Sequence, residues 1–297
     1  MKKYFLHLLV ITATLIIYSC GSKQQDTESE SDAFDNAQEE ADEVSESLEG
    51  VIYNIPSPAE IPWLLEATGV EFDESLTNGY SLVDNYKTTF DVSALNMGIY
   101  AADLGYLSAY DKTQDAINYL TSMKGLADHL GVASAWDVEM LERFESNLGS
   151  KDSLYIIIEE GVENADKQLK NEDRSQAAAL MTTGSFIEGL YIATQLIQSY
   201  PTDILSTEDR MTILTPLIRV VLEQEKSLQA LLKLATSVPQ DGMIVQVVKD
   251  LNGLDATFTE LDIDEKIAQN QTDELLNDVT LRNLANQIAE MRRGIVE

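Results

Sequence analysis

Two acids stand in stretches that otherwise avoid charge. Residues 92–110 carry one charged side chain, Asp103, and residues 175–202 carry one, Glu188, in a chain that is 24% charged. Each is followed by a tyrosine at the same offset, in Ala102-Asp103-Leu104-Gly105-Tyr106-Leu107 and Ile187-Glu188-Gly189-Leu190-Tyr191-Ile192, and residues three apart are neighbours on a helix surface. Asn96, Tyr100 and Tyr110 fall near the face of Asp103, while Gln195 and Gln198 continue that of Glu188. Each stretch therefore reads as a helix buried on most sides, with a polar stripe in an apolar body. A carboxylate buried without a cation is costly and titrates above its usual range. Two such groups close together favour a shared proton, a divalent ion or an amine ligand, and antiparallel packing of the helices would let their stripes line one pocket. The ligand-binding candidates are thus Asp103, Tyr106, Glu188, Tyr191, Asn96, Tyr100 and Gln195. The competing reading is a structural network in which hydroxyls and amides satisfy each acid and fix helix register. Paired carboxylates can also hydrolyse glycosides, but these sit in helix middles with no Gly-rich loop or aromatic platform nearby, so no catalytic residue is assigned.

The elements that must position these acids are helical throughout. Apolar periodicity predicts one all-α, multi-helix bundle of about eight helices, over roughly 84–111, 114–129, 135–148, 152–170, 173–199, 207–237, 241–261 and 272–294, with a short helix over 59–68. Gly131 and Gly149 read as C-terminal stops, Ser134 and Asp137 as a capping arrangement, and Pro201 and Pro239 as helix closers. Pro216 falls inside the pattern and is expected to kink or restart its helix. A weaker seam is expected over 201–206. Before the bundle, Ile52-Tyr53-Asn54-Ile55-Pro56-Ser57-Pro58 suits an extended strap, and Trp63 and Trp136 read as core anchors or strap contacts. Small residues line the two core helices, Ala94, Gly98, Ala101, Gly105 and Ser108 on one and Ala178, Ser185 and Gly189 on the other. A glycine inside a helix costs about 1 kcal/mol relative to alanine unless close packing needs it. Glu223, Glu225 and Lys226 form an exposed face opposite Leu222, Leu228, Leu231 and Leu232, and Arg292 and Arg293 read as helix-end cations.

Charge and residue counts narrow the chemistry. With 51 acids against 20 bases the formal net charge is −31, a surface that repels nucleic acid and anionic head groups and admits cationic ligands, divalent ions or a basic patch on a partner. Such charge also simply keeps a protein soluble. The single cysteine, Cys20, leaves no disulfide or thiolate site in the bundle, and His129 is the only histidine beyond His7. Histidine zinc sites are therefore absent, and His129, just before Leu130-Gly131, reads as a partner of the helix dipole. Asp262, Asp264 and Glu265 are too few, and lack the glycine, for a calcium loop. No cofactor and no metal ligand is assigned.

The first 50 residues read as an address. Lys2 and Lys3 precede an apolar run, Phe5 to Ile17, which is shorter than the roughly 20 residues of a stable membrane span. Ile17-Tyr18-Ser19-Cys20-Gly21 resembles the lipobox of bacterial lipoproteins, with Tyr18 bulkier than the pattern. That resemblance implies a signal peptide over 1–19, lipidation of Cys20, and an anchor of several acyl chains. Residues 20–50 then form an acidic tether: Asp26 to Glu49 hold 11 acids, and no basic residue falls between Lys23 and Lys87. Such a composition cannot bury enough apolar area to fold, and as a coil it would hold the bundle on the order of 30 Å from the lipid. Phe34, Ala37, Ala41, Val44 and Leu48 recur at helical spacing within it, fit for a weak amphipathic helix against a partner. The sequence Gly21-Ser22-Lys23-Gln24-Gln25-Asp26 also resembles the surface-export signal of Bacteroidota lipoproteins, although its acids arrive late.

Ile55-Pro56-Ser57-Pro58, Asn96-Met97-Gly98-Ile99-Tyr100-Ala101-Ala102-Asp103-Leu104 and Phe186-Ile187-Glu188-Gly189-Leu190-Tyr191 resemble segments of uncharacterised helical lipoproteins of Bacteroidota. The resemblance covers about half of the chain beyond the signal, and implies an all-helical domain over 51–297 held at the outer membrane. It implies no activity. The expectation is a non-enzymatic, membrane-tethered binding module, an accessory of an envelope complex, whose partners are the membrane through the lipid anchor and an envelope protein. The alternative is a small-ligand or cation binder using Asp103 and Glu188.

Overall fold

The computed structural model describes residues 55–199, 207–261 and 279–297. Cys20, the acidic tether, the start of the strap, the seam at 201–206 with Pro201, and Asp262, Asp264 and Glu265 lie outside the described residues. Among the described residues there are ten α-helices, three 3₁₀ turns and no strand. The helices are α1 Glu60–Ala67, α2 Phe90–Ala109, α3 Thr113–Leu130, α4 Val138–Ser146, α5 Lys151–Asn171, α6 Ser175–Ser199, α7 Thr207–Leu222, α8 Glu225–Ser237, α9 Ile244–Glu260 and α10 Val279–Val296.

Helices α2 and α6 form the centre, and both are buried along nearly their whole length. Helix α2 starts at Thr89, whose side chain accepts from the Val92 amide at 3.2 Å, with Asp91 in the first turn. It therefore begins later than 84, because Tyr80–Tyr86 takes a 3₁₀ path instead. The two helices run parallel, not antiparallel. Their N-terminal ends both reach the turn before α9, where Asp91 accepts from the Met243 amide (3.0 Å) and Gln176 donates to the Asp241 carbonyl (2.8 Å). Their later turns both reach the start of α1, where Gly105 meets Ala59 and Gly189 meets Ile61. At the crossing the backbones touch reciprocally. A Cβ on Gly98 would lie 2.0 Å from the Met181 carbonyl oxygen, and one on Gly184 would lie 2.0 Å from that of Leu95. The small-residue stripe was legible in the sequence; Gly184, the reciprocal half of the contact, was not singled out.

The other boundaries follow local chemistry. Gly131 ends α3 with φ of 72°, the left-handed conformation glycine adopts without steric cost. Asp137 itself caps α4, accepting from the Met140 amide at 3.0 Å, while Ser134 sits in the 3₁₀ turn Ala133–Trp136 and bonds Gln168 instead. Helix α7 continues through Pro216, and the break expected there comes at residues 223–224. Pro216 is itself exposed, and the helix runs on past it without restarting. Val238 is extended before Pro239, which closes α8. At the front, Ile55 rests on the core and Ser57 Oγ meets Tyr155 Oη at 3.1 Å. Trp136 is fully buried, and Trp63 packs edge-on against Tyr155. Helix α10 lies against α6, α9 and α2. No described helix is long and apolar enough to cross a membrane.

Candidate functional site

Parallel α2 and α6 bring Asp103 and Glu188 to one place, both fully buried, and α10 adds the third member. Arg292 Nε donates to Glu188 Oε2 at 2.8 Å and Nη2 donates to Oε1 at 2.9 Å, a two-pronged pair of the kind a guanidinium makes best. Its guanidinium lies 4.3 Å from the Tyr191 ring centroid, where the ring face attracts a cation. Arg292 is thus no helix-end cation but the counter-charge of the core, with 14% of its side chain exposed. Arg293 does match that expectation, at the surface beside Glu290. The difference was legible in α10: Leu281, Leu284, Ala285, Ile288, Met291 and Ile295 are its buried residues, and Arg292 stands four residues after Ile288 on the same stripe.

Asp103 depends on the irregular connection between α1 and α2. Its Oδ2 accepts from the Asn78 amide at 3.1 Å, whereas Oδ1 makes no hydrogen bond of ordinary geometry. Burial pushes the Asp103 carboxyl well above the usual carboxylate range, and the neighbouring Glu188 charge adds to this, with Arg292 and the Asn78 amide pulling back. Burial also raises Glu188, but Arg292 opposes it, and Asp103 acts toward Glu188 as a hydrogen-bond donor. Burial works against the Arg292 charge too, yet the Glu188 carboxylate overcomes it and holds the guanidinium above its usual range. These directions describe an ionised Glu188–Arg292 pair with a proton on Asp103.

The rest of the polar stripe on α2 serves backbone, not a cavity. Tyr106 Oη accepts from the Asp73 amide (2.9 Å), Tyr100 Oη donates to the Gly79 carbonyl (2.9 Å) and Ser93 Oγ donates to the Tyr86 carbonyl (2.7 Å). Asn96 Nδ2 donates to the Ile295 carbonyl at 3.1 Å. Tyr86 Oη lies between Asn78 Oδ1 (3.1 Å) and the Val296 carbonyl (3.2 Å), its one proton serving one of them at a time. An irregular chain covering a core must find partners for its amides and carbonyls, and so must the last carbonyls of a helix. The stripe meets both needs. Burial pushes the Tyr106 hydroxyl up to about 12 and raises Tyr100, Tyr119 and Tyr191 as well.

Of the residues expected to share a pocket, Asp103 and Glu188 are together and Tyr191 lies under their arginine. Tyr106, Tyr100 and Asn96 bond elsewhere; Tyr110 Oη has no hydrogen-bond partner and its ring packs beside Phe72 and Tyr106. Gln195 is half-buried further along α6 and Gln198 is exposed. Asn78, in the irregular link between two 3₁₀ turns, and Tyr86, at the end of the second, carry no periodicity that marks them in the sequence. His129 bonds sideways: Ser93 spends its proton on Tyr86, so its 2.8 Å contact with His129 Nδ1 has the imidazole donating. Among the described residues no three His, Cys, Asp or Glu side chains gather as a metal site. Comparison with family models, with curated proteins and with solved structures gives no match.

Proposed function

We propose that this chain is a lipid-anchored binding module of the bacterial cell envelope. Cys20 is held at the outer membrane, residues 20–50 are an acidic tether, and the helical domain recognises an envelope protein without chemistry of its own. The observation that carries the reading is Arg292: the chain supplies from α10 the cation that Asp103 and Glu188 would otherwise take from a ligand. The acids are then part of the architecture, and recognition is left to the outer surface. A chain of net charge −31 favours partners that present basic patches, and such attraction weakens with salt. The second reading, a cationic small ligand in the core, draws on one observation, the buried Oδ1 of Asp103, which no N–H donor or cation of the described residues reaches.

Native mass spectrometry of the lipidated protein, purified gently from its own envelope beside Asp103→Asn and Glu188→Gln, separates the two. The binding-module reading expects a co-purifying protein that both variants retain and that added salt strips off. A small bound mass lost from both variants would overturn it in favour of the core ligand.

A further inference from the structure

Two buried acids face one guanidinium. Both oxygens of Glu188 are taken by Arg292, whereas Asp103 has the Asn78 amide on Oδ2 and no cation or N–H donor on Oδ1. The titratable groups acting on this site come from every element around it. They are Asp73 and Tyr86 from the connection before α2, Tyr100 and Tyr106 from α2 itself, Tyr119 from α3, Tyr191 from α6 beside Glu188, and Arg292 from α10. Arg292 is the one cation among them. With both acids ionised the site carries an uncompensated buried charge, which is strongly unfavourable; with one proton between them it is neutral.

That site is also where α10 is fastened. Arg292 reaches Glu188 and the Leu76 carbonyl, Asn96 holds the Ile295 carbonyl and Tyr86 approaches the Val296 carbonyl. We propose that Asp103, Glu188 and Arg292 form a one-proton latch for α10: the helix seats on α2 and α6 with one proton held between the two acids, and loss of that proton loosens it. Lifting α10 away would remove Arg292 and open both acids to water, where each ionises in its ordinary range.

The sign follows from the raised position of Asp103. A free aspartate releases its proton near pH 3.9, so above that the seated state holds one proton more than the opened state. The stabilisation is complete below the free value and is lost as pH rises toward the seated one. Each pH unit in that window favours opening up to tenfold.

Hydrogen exchange of α10 amides in the full chain, divided by intrinsic exchange rates, reads this directly. Above the free carboxylate range and below the seated one, the wild-type opening constant of α10 should rise with pH, by up to tenfold per unit, and in Asp103→Asn it should be flat. A pH-independent wild-type constant, or the same slope in Asp103→Asn, would overturn the latch. Infrared spectroscopy keeps the test open if that variant does not fold. Wild type at neutral pH should show the carbonyl band of a buried, protonated carboxylic acid, missing from Glu188→Gln because Asp103 then ionises against Arg292. Absence of the band from wild type would equally overturn the proposal.

Discussion

The two faces of α2 are stabilised in opposite ways. Toward α6, Gly98 and Gly184 let bare backbone meet backbone, with no room for a methyl group. Toward the connection before α2 and toward α10, the same helix presents Ser93, Asn96, Tyr100, Asp103 and Tyr106, and each of these side chains bonds the chain laid across it. The first face is specified by shape and works through dispersion at close packing. The second is specified by donors and acceptors, whose main consequence is the cost of breaking them. Regular helices can meet through shape alone. An irregular segment cannot, because its backbone groups need partners.

The sharpest way to break the contrast is at the crossing. Gly98→Ala places a methyl 2.0 Å from one backbone atom and 2.6 Å from another, and neither can rotate away. Urea unfolding should show a loss on the order of 4–5 kcal/mol, at the upper end for single substitutions. Removing the counter-charge comes next: Arg292→Met leaves Glu188 buried and unpaired, at a cost of about 3–4 kcal/mol in the same assay. Tyr86→Phe strips one hydroxyl from between Asn78 and Val296 and should cost about 1–2 kcal/mol. At the outer surface, Lys124→Ala breaks an i,i+4 pair with Asp128 whose side chains are 33% and 52% exposed, and the change should stay below about 0.5 kcal/mol.

The crossing was the more legible of the two faces. Charge-free stretches around Asp103 and Glu188 marked the central helices, and small residues at helical spacing marked the close approach. Parallel packing was not legible, because direction depends on α3, α4 and α5 returning the chain to the same end, and no local pattern encodes that. The polar face was half legible. Asn96, Tyr100, Asp103 and Tyr106 stood out on α2, but their partners are backbone groups of residues 73–79 and the Ile295 carbonyl, which any sequence would supply. That is why Tyr106 looked like a companion of Asp103 and proved to be a companion of Asp73. Arg292 was overlooked for a different reason: a charge near a helix end reads as solvated unless its register with Leu281, Leu284 and Ile288 is traced. Of the two outcomes expected at Pro216, a restart does not occur, since one helix runs from Thr207 to Leu222 across it.

A double-mutant cycle between Glu188 and Arg292, followed by urea unfolding, bears most heavily on whether the buried acids are architecture completed by the chain's own cation. If they are, Glu188→Gln and Arg292→Met together should cost at least about 2 kcal/mol less than the sum of the two alone, since each single change strands the other partner. Costs that simply add, to within about 0.5 kcal/mol, would contradict it and return Asp103 and Glu188 to the role of a site awaiting a ligand.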